Sequence, residues 1–316
     1  MNILVTGASG FVGQALVSLL STKTRIRVCA AARSKLEDLP SNSRCVEVGD
    51  ISSVTDWTDA LRAMQIVVHT AARVHIMNDS AEDTLTEFRK VNVEGTLNLA
   101  RQAVEAGVRR FMFISSVKVN GERTYTDTPF LADAIPRPMD AYGVSKYEAE
   151  VGLYRLAEET DMEIVVIRPP LVYGPRVKGN FASMVRILEK GIPLPFGAIH
   201  NKRSLVALDN LLDLIVTCID HPDAANQTFL AGDGEDMSTT ELLKRLGKAL
   251  GKPARLIPLP GNLLTFVAVL LGKKSVAQRL YGSLQVDISK AREVLGWEPP
   301  ITVDEGLRRA VEDFKA

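Results

Sequence analysis

Tyr142 and Lys146 close the run Tyr-Gly-Val-Ser-Lys, and residues four apart share one face of a helix. A phenol, with its ordinary pKa near 10, is a weak base at neutral pH. A neighbouring ammonium favours the phenolate, and such a pair can take a proton from an alcohol or return one to a ketone. Ser115-Ser116 ends an apolar run upstream and offers a hydroxyl that can orient the same substrate oxygen.

Moving a proton at an alcohol or ketone is useful when a hydride moves too, and the N-terminus carries a matching signal. The apolar run Asn2–Thr6 is followed by Gly7-Ala8-Ser9-Gly10-Phe11-Val12-Gly13, with three glycines spaced by three. A dinucleotide-binding loop has these needs: a tight turn, a backbone that approaches the pyrophosphate, and close packing of strand and helix. The following helix then offers free N–H groups and a positive dipole end to the phosphates. Gly7, Ser9, Gly10, Phe11, Val12 and Gly13 are therefore the first candidate cofactor contacts, and an oxidised nicotinamide would further favour the Tyr142 phenolate. The second strand ends Ala30-Ala31-Ala32-Arg33. A carboxylate at that position suits NAD, whereas an arginine suits the extra phosphate of NADP. Arg33 therefore inclines the cofactor reading to NADP over NAD. Asp50 and Ile51 follow the third strand, where Asp50 can accept from the adenine amino group. Ala71 and Ala72 follow the fourth, small enough for a dinucleotide to lie near the backbone. His69, just before them, reads as a satisfied core residue.

These residues need a scaffold, and the chain predicts one. Strands are expected at Asn2–Thr6, Arg25–Ala32, Arg44–Val48, Ile66–Thr70, Arg110–Ser115 and Glu163–Arg168. Helices are expected at Phe11–Leu20, Val54–Met64, Thr84–Ala106 and Ala141–Glu159. Alternating strands and helices imply an α/β fold with a doubly wound parallel Rossmann sheet. After Arg168 prolines interrupt the rhythm. Helical patterns return at Phe181–Glu189, Asp209–Ile219, Thr239–Leu250, Leu263–Leu271 and Asp304–Phe314, with short strands at Ser204–Ala207 and Thr228–Ala231. The expected organisation is a dinucleotide-binding domain over 1–170, to which 204–231 returns. A smaller mixed α/β substrate-binding domain occupies most of 171–316.

Composition narrows the class. Of 316 residues, 46% are hydrophobic and 24% charged, with 38 basic and 38 acidic side chains. That is the make-up of a globular protein, and zero net charge argues against general nucleic-acid binding. The three cysteines, Cys29, Cys45 and Cys218, form no metal-ligand spacing, and no metal is expected. They fit a reducing cytoplasm. Met1-Asn2-Ile3-Leu4 shows no secretion signal. The apolar stretch Leu263–Leu271 is too short for a transmembrane helix and reads as a buried helix, a lipid contact or an interface.

With both motifs in place, the chain resembles the extended short-chain dehydrogenase/reductases, in the nucleotide-sugar epimerase, dehydratase and 4-keto-reductase group. The likeness runs from Gly7 to Trp297. It implies that Tyr142 transfers the proton, that Lys146 holds the nicotinamide ribose, and that in the Ser-Ser-x-x-x-x-Gly pattern ending at Gly121 the catalytic hydroxyl is Ser116. It places Asn92, in Val91-Asn92-Val93-Glu94-Gly95, near the active site. Ser115 and Pro169, the latter in Arg168-Pro169-Pro170-Leu171-Val172-Tyr173-Gly174-Pro175, line the nicotinamide. It gives the substrate Ser116, Lys118, Asn120, Tyr142, Asn180, Arg203 and Arg279, the arginines gripping a diphosphate through paired hydrogen bonds. It also implies a homodimer built on Thr84–Ala106 and Ala141–Glu159, and a part in polysaccharide biosynthesis. Two departures stand out. Leu171 and Asn120 occupy positions where many members have Asn and Tyr, which weakens any transfer of UDP-glucose/UDP-galactose specificity.

Two reactions fit. A 4-keto reductase would deliver hydride from NADPH to a UDP-4-keto-6-deoxy-hexosamine of the N-acetylquinovosamine type, with Tyr142 donating the proton, and Arg33 favours it. A UDP-hexose 4-epimerase, on UDP-glucose or UDP-GlcNAc, would use the same residues with tightly bound NAD. A lipid-diphosphate sugar is a variant motivated by Leu263–Leu271. A 4,6-dehydratase would want an acidic pair beside the tyrosine motif, which is missing. A non-catalytic dinucleotide-binding regulator sits poorly with an intact Ser116, Tyr142 and Lys146.

Overall fold

The computed structural model describes residues 1–74, 84–125, 128–259 and 281–314. Arg279 and the apolar stretch Leu263–Leu271 lie outside them. Seven strands form a parallel sheet: β1 (Asn2–Thr6), β2 (Arg27–Ala32), β3 (Ser43–Glu47), β4 (Ile66–His69), β5 (Arg110–Ile114), β6 (Glu163–Arg168) and β9 (Gln227–Leu230). Their order is β3-β2-β1-β4-β5-β6-β9. The order reverses between β1 and β4, so a crevice opens beyond the carboxyl ends of those strands, where a doubly wound sheet binds its ligand. The central strands read as near-continuous apolar runs because helices cover both faces.

One face packs α1 (Phe11–Ser21), α7 (Leu208–Asp220) and α9 (Ser289–Leu295) around Ile3, Val5, Leu16, Leu211 and Ile215. The other packs α4 (Thr96–Glu105) and α5 (Ala141–Glu159) with Trp57, Phe111, Phe113 and Leu153. Each fully buried large apolar side chain contributes about 1.5–3 kcal/mol. A second sheet has three short strands, in the order β10 (Asp236–Met237), β8 (Arg203–Ala207), β7 (Leu171–Tyr173), the first pair antiparallel and the second parallel. It shares a core with α6 (Gly179–Glu189), α8 (Thr239–Ala249) and α10 (Val303–Ala310). Among the described residues no helix is long and apolar enough to cross a membrane.

Two expected helices differ from the pattern. Val54–Met64 forms helix only as α2 (Thr58–Leu61). The Asp56 carboxylate accepts from Thr58 N at 2.9 Å and Thr58 Oγ1 at 2.6 Å, Thr55 Oγ1 donates to the Asp50 carbonyl, and Ala63 has φ of 60°. Local side-chain bonds thus hold the approach as a turn. Thr84–Ala106 is helical, but α3 (Thr84–Arg89) and α4 are joined by a π-helical turn, Lys90–Gly95. A Cβ on Gly95 would lie 2.5 Å from Ile51 Cγ2, so glycine lets the loop after β3 close on that turn.

Candidate active site

The glycine loop has the form its sequence requires. Gly7 turns the chain with φ of +66°, and a Cβ there would lie 2.8 Å from the Ala71 backbone after β4. A Cβ on Gly13 would lie 2.2 Å from the Gly7 carbonyl oxygen. Gly10 caps α1 without a side-chain hydrogen bond, leaving the positive end of α1 facing the crevice with Ser9 and Gly10 exposed. Phe11 and Val12 are half-buried at the start of the helix, against the sheet core. This cradle fits a dinucleotide pyrophosphate: narrow where Cβ atoms would intrude, and lined by main-chain donors. Ala71, just after β4, borders it, and the half-buried Ala72 follows.

Arg33 and Asp50 follow β2 and β3. Their side chains are 80% and 89% exposed, and their closest approach is 4.0 Å. An exposed pair at that distance contributes little, so the guanidinium stays available to a phosphate. Ile51 is taken up by packing against the π-turn. His69 is a satisfied core residue: Nδ1 bonds Thr6 Oγ1 at 2.7 Å, Nε2 bonds Thr96 Oγ1 at 3.0 Å, and the ring stacks on Phe113. Burial, reinforced by Lys146, pushes its pKa down to about 3, so it is neutral.

α5 carries Tyr142 and Lys146, the candidate acid–base pair. Asp140 starts it by accepting from Gly143 N at 2.7 Å, the favoured role of aspartate at a helix N-cap. A Cβ on Gly143 would lie 2.8 Å from the Lys118 carbonyl oxygen, so this glycine lets α5 meet the short 3-10 turn Val117–Val119. Tyr142 packs edge-on against Phe88 of α3, with ring centroids 5.9 Å apart. Lys146 is 1% exposed, its ammonium 4.1 Å from the centre of the Phe113 ring on β5. Ser116 caps the turn after β5, accepting from Lys118 N at 3.2 Å, and remains half-buried. The Pro169 carbonyl accepts from Val117 N at 3.0 Å, joining the end of β6 to the same turn.

The expectation pairs Lys146 with an oxidised nicotinamide in favouring the phenolate; Lys146 by itself does not make the phenol a base. Burial, with the Asp140 carboxylate adding to it, pushes the Tyr142 pKa up. Burial also brings Lys146 down to about 7, against an opposing pull from Glu150. Burial thus favours the protonated phenol at Tyr142 and weakens the hold of Lys146 on its proton.

Four sequence candidates take supporting positions instead of ligand-facing ones. The Asn92 amide, in the π-turn, accepts from Arg73 N at 2.8 Å and donates to Arg73 O at 3.1 Å and Ser145 Oγ at 3.0 Å. Its two donor hydrogens are used, so it clamps the loop after β4 to α5. The Ser115 hydroxyl donates to Glu150, and the Asn120 amide is buried between Arg168 and the Leu131 carbonyl. Lys118 is ion-paired with Asp140. For Asn92, Ser115 and Asn120 the physical reason is shared: a buried polar group must be bonded, and here the nearest partners belong to the protein. Asn180 is exposed in the first turn of α6, and Leu171 is exposed at the start of β7. Arg203 opens β8, donates to the Gly282 carbonyl at 3.0 Å, and has its pKa lowered by burial. No described hydrogen bond joins Asn180 or Arg203 to Ser116, Tyr142 or Lys146. Sequence reasoning passed over Glu150 and Arg168, although a charged residue closing the apolar strand Glu163-Ile-Val-Val-Ile-Arg168 demands a buried partner.

The NAD dependent epimerase/dehydratase family matches residues 3–232. A Vibrio cholerae protein described as a UDP-glucose 4-epimerase is 50% identical over 314 residues, covering 99% of this chain and 95% of that protein. A UDP-glucose 4-epimerase of Mycolicibacterium smegmatis is 30% identical over 331 residues, covering 100% and 99%. Among solved structures, the UDP-glucose 4-epimerase of Thermotoga maritima with UDP-glucose superposes with a TM-score of 0.79 at 26% identity, covering 100% of this chain and 99% of that chain.

Proposed function

Because the chain belongs to the NAD dependent epimerase/dehydratase family, we propose that it interconverts the C-4 epimers of a UDP-linked hexose, such as UDP-glucose, with NAD retained through the cycle. The observation that carries this reading is the 50% identity, over 99% of the chain, to a protein described as a UDP-glucose 4-epimerase. It reverses the preference for the 4-keto reductase, which rested on Arg33 and on the resemblance of the Ser115–Gly121 and Arg168–Gly179 segments to enzymes of N-acetylquinovosamine-type sugar synthesis.

The residues divide the work as follows. Gly7, Gly10 and Gly13 with the α1 N-terminus hold the pyrophosphate. Lys146 donates to the nicotinamide ribose. Ser116 orients O-4 of the sugar, and Tyr142 exchanges a proton with it, taking it as the alcohol becomes a ketone and returning it once the ketone has turned its other face. Bound NAD supplies the hydride acceptor and donor and, when oxidised, the positive charge that lets Tyr142 give up its proton. Asn180, Arg203 and Arg279 hold the UDP diphosphate. Dimerisation through Thr84–Ala106, which includes α3 and α4, and through α5 belongs to the same reading, and sedimentation tests it.

The 4-keto reductase is the second reading. It is favoured by the end of β2, where no carboxylate stands and the exposed Arg33 is free for the extra phosphate of NADPH. One experiment separates the two. The protein is purified without added cofactor and denatured, and the released dinucleotide is identified. Near-stoichiometric NAD, with conversion of UDP-glucose to UDP-galactose without added reductant, is expected. Protein that emerges empty, binds NADPH better than NADH and reduces a 4-keto sugar nucleotide would overturn the epimerase reading.

A further inference from the structure

Beneath the site lies a buried polar cluster with no role in the steps above. Glu150 is 2% exposed and Arg168 4%. The Glu150 carboxylate accepts from Arg168 Nε at 3.0 Å and Nη2 at 2.5 Å, and from the Ser115 hydroxyl. Arg168 Nη1 donates to Asn120 Oδ1 at 3.1 Å and to the Ala132 carbonyl at 3.4 Å. One carboxylate therefore ties together α5, the end of β5 and the end of β6. These are the segments that carry Tyr142 and Lys146, Ser116, and Pro169.

Stability does not account for such a pair. Taking two charges out of water is costly, and apolar side chains of similar volume often serve as well. Its arrangement is instead suited to fixing geometry. Glu150 stands one helical turn beyond Lys146, as Lys146 stands one turn beyond Tyr142. The groups facing Lys146 leave Glu150 as its anion. On α5 they are Tyr142 and Glu150. From β4 comes neutral His69 and from β5 the Phe113 ring, while Ser115, after β5, and Arg168, at the end of β6, are both bound to Glu150. Lys118 and Asp140, ahead of α5, are paired with each other.

We propose that Glu150, held by Arg168, is a positioning residue for the C-4 reaction: it locks Ser115, and with it Ser116, against α5, and it supplies the counter-charge of Lys146. This assignment rests on the acid–base reading of Tyr142 and Lys146 given above.

The test reads Lys146 directly. The protein is prepared with isotope-labelled lysine, and the Lys146 signal is identified by its loss in Lys146→Arg. Its titration is then followed without cofactor or substrate. Glu150→Gln keeps the shape and the Ser115 bond but leaves Arg168 without its charge partner, so Glu150→Gln/Arg168→Met is measured beside it. In both, the Lys146 midpoint is expected to move to lower pH. The move is smaller in the double variant, where the Arg168 cation leaves with the carboxylate; Glu150, one helical turn from Lys146, is the charge that raises its pKa. kcat on UDP-glucose is expected to fall about tenfold or more while KM changes less than about threefold, since misplacement at the reacting centre costs turnover more than binding. The alkaline limb of kcat should also move down. An unmoved Lys146 midpoint in a folded variant overturns the proposal. A wild-type protein that fails to turn over UDP-glucose would overturn the epimerase reading and leave the titration valid.

Discussion

Two buried carboxylates, Glu150 and Asp233, hold the two sheets of the molecule in different ways. Glu150, beside the parallel sheet, is matched by a guanidinium and stands one helical turn from Lys146, whose pKa it raises. Asp233, beside the three-stranded sheet, is met by neutral donors: Ala207 N at 2.8 Å, Asn210 Nδ2 at 2.7 Å and the Tyr173 hydroxyl at 2.7 Å. Asn210 continues to Ile301, accepting from its N–H and donating to its carbonyl. Asp233 thereby joins β7, β8, α7 and the approach to α10. Without a cation to offset its burial, its pKa rises. None of its partners is a candidate catalytic group. A charged hub next to the chemistry sets electrostatics as well as shape, whereas a hub of neutral donors sets shape alone.

This contrast can be broken most sharply at the catalytic end. Tyr142→Phe removes a hydroxyl with no described protein partner, so turnover should fall about 10²–10⁴-fold with a melting temperature close to that of the parent. Retained turnover would remove Tyr142 from the reaction. Asp233→Ala should show the reverse. It strands Ala207 N and the Tyr173 hydroxyl, so stability should drop by about 2–4 kcal/mol, read by denaturant unfolding, while kcat per folded molecule stays the same. A loss of kcat at unchanged stability would erase the distinction between the hubs.

Lys146→Met sharpens it further. The folded state lowers the Lys146 pKa from 10.5 to about 7. Between those values the unfolded chain holds a proton that the fold rejects, so stability rises with pH across that window and the burial cost is full below about 7. The methionine variant should lose this slope and, at pH near 6, gain a few kcal/mol at most while losing turnover. A stability–pH curve unchanged by the substitution would mean that the fold does not lower the Lys146 pKa and that the ammonium stays charged there as it does in the unfolded chain. Such a trade of stability for activity has no counterpart at Asp233.

Much of the catalytic layer was legible in the chain. The residue ranges of α5 and β6 match their expected ranges, because an amphipathic pattern and an apolar run are local signals. The glycine spacing foretold both the turn at Gly7 and the close approach at Gly13. Less legible were β7, β10 and α9, which are short and owe their form to neighbours distant in sequence. The π-turn was also hidden, since it arises where Asn92 and Gly95 meet the loops after β4 and β3.

What the sequence determined by itself was the chemistry on offer and its rough scaffold: the phenol–ammonium pair on one helix face, the hydroxyls after β5, and the phosphate cradle after β1. Each follows from spacing within a single element, and such spacing survives whatever surrounds it. Tertiary structure alone decided which polar side chains remain for a ligand. Ser115, Asn120 and Asn92 look like site residues in the chain, yet folding brings Glu150, Arg168, Arg73 and Ser145 within bonding distance of them. In a dry interior a polar group takes the partner that packing delivers, and that partner comes from elsewhere in the chain.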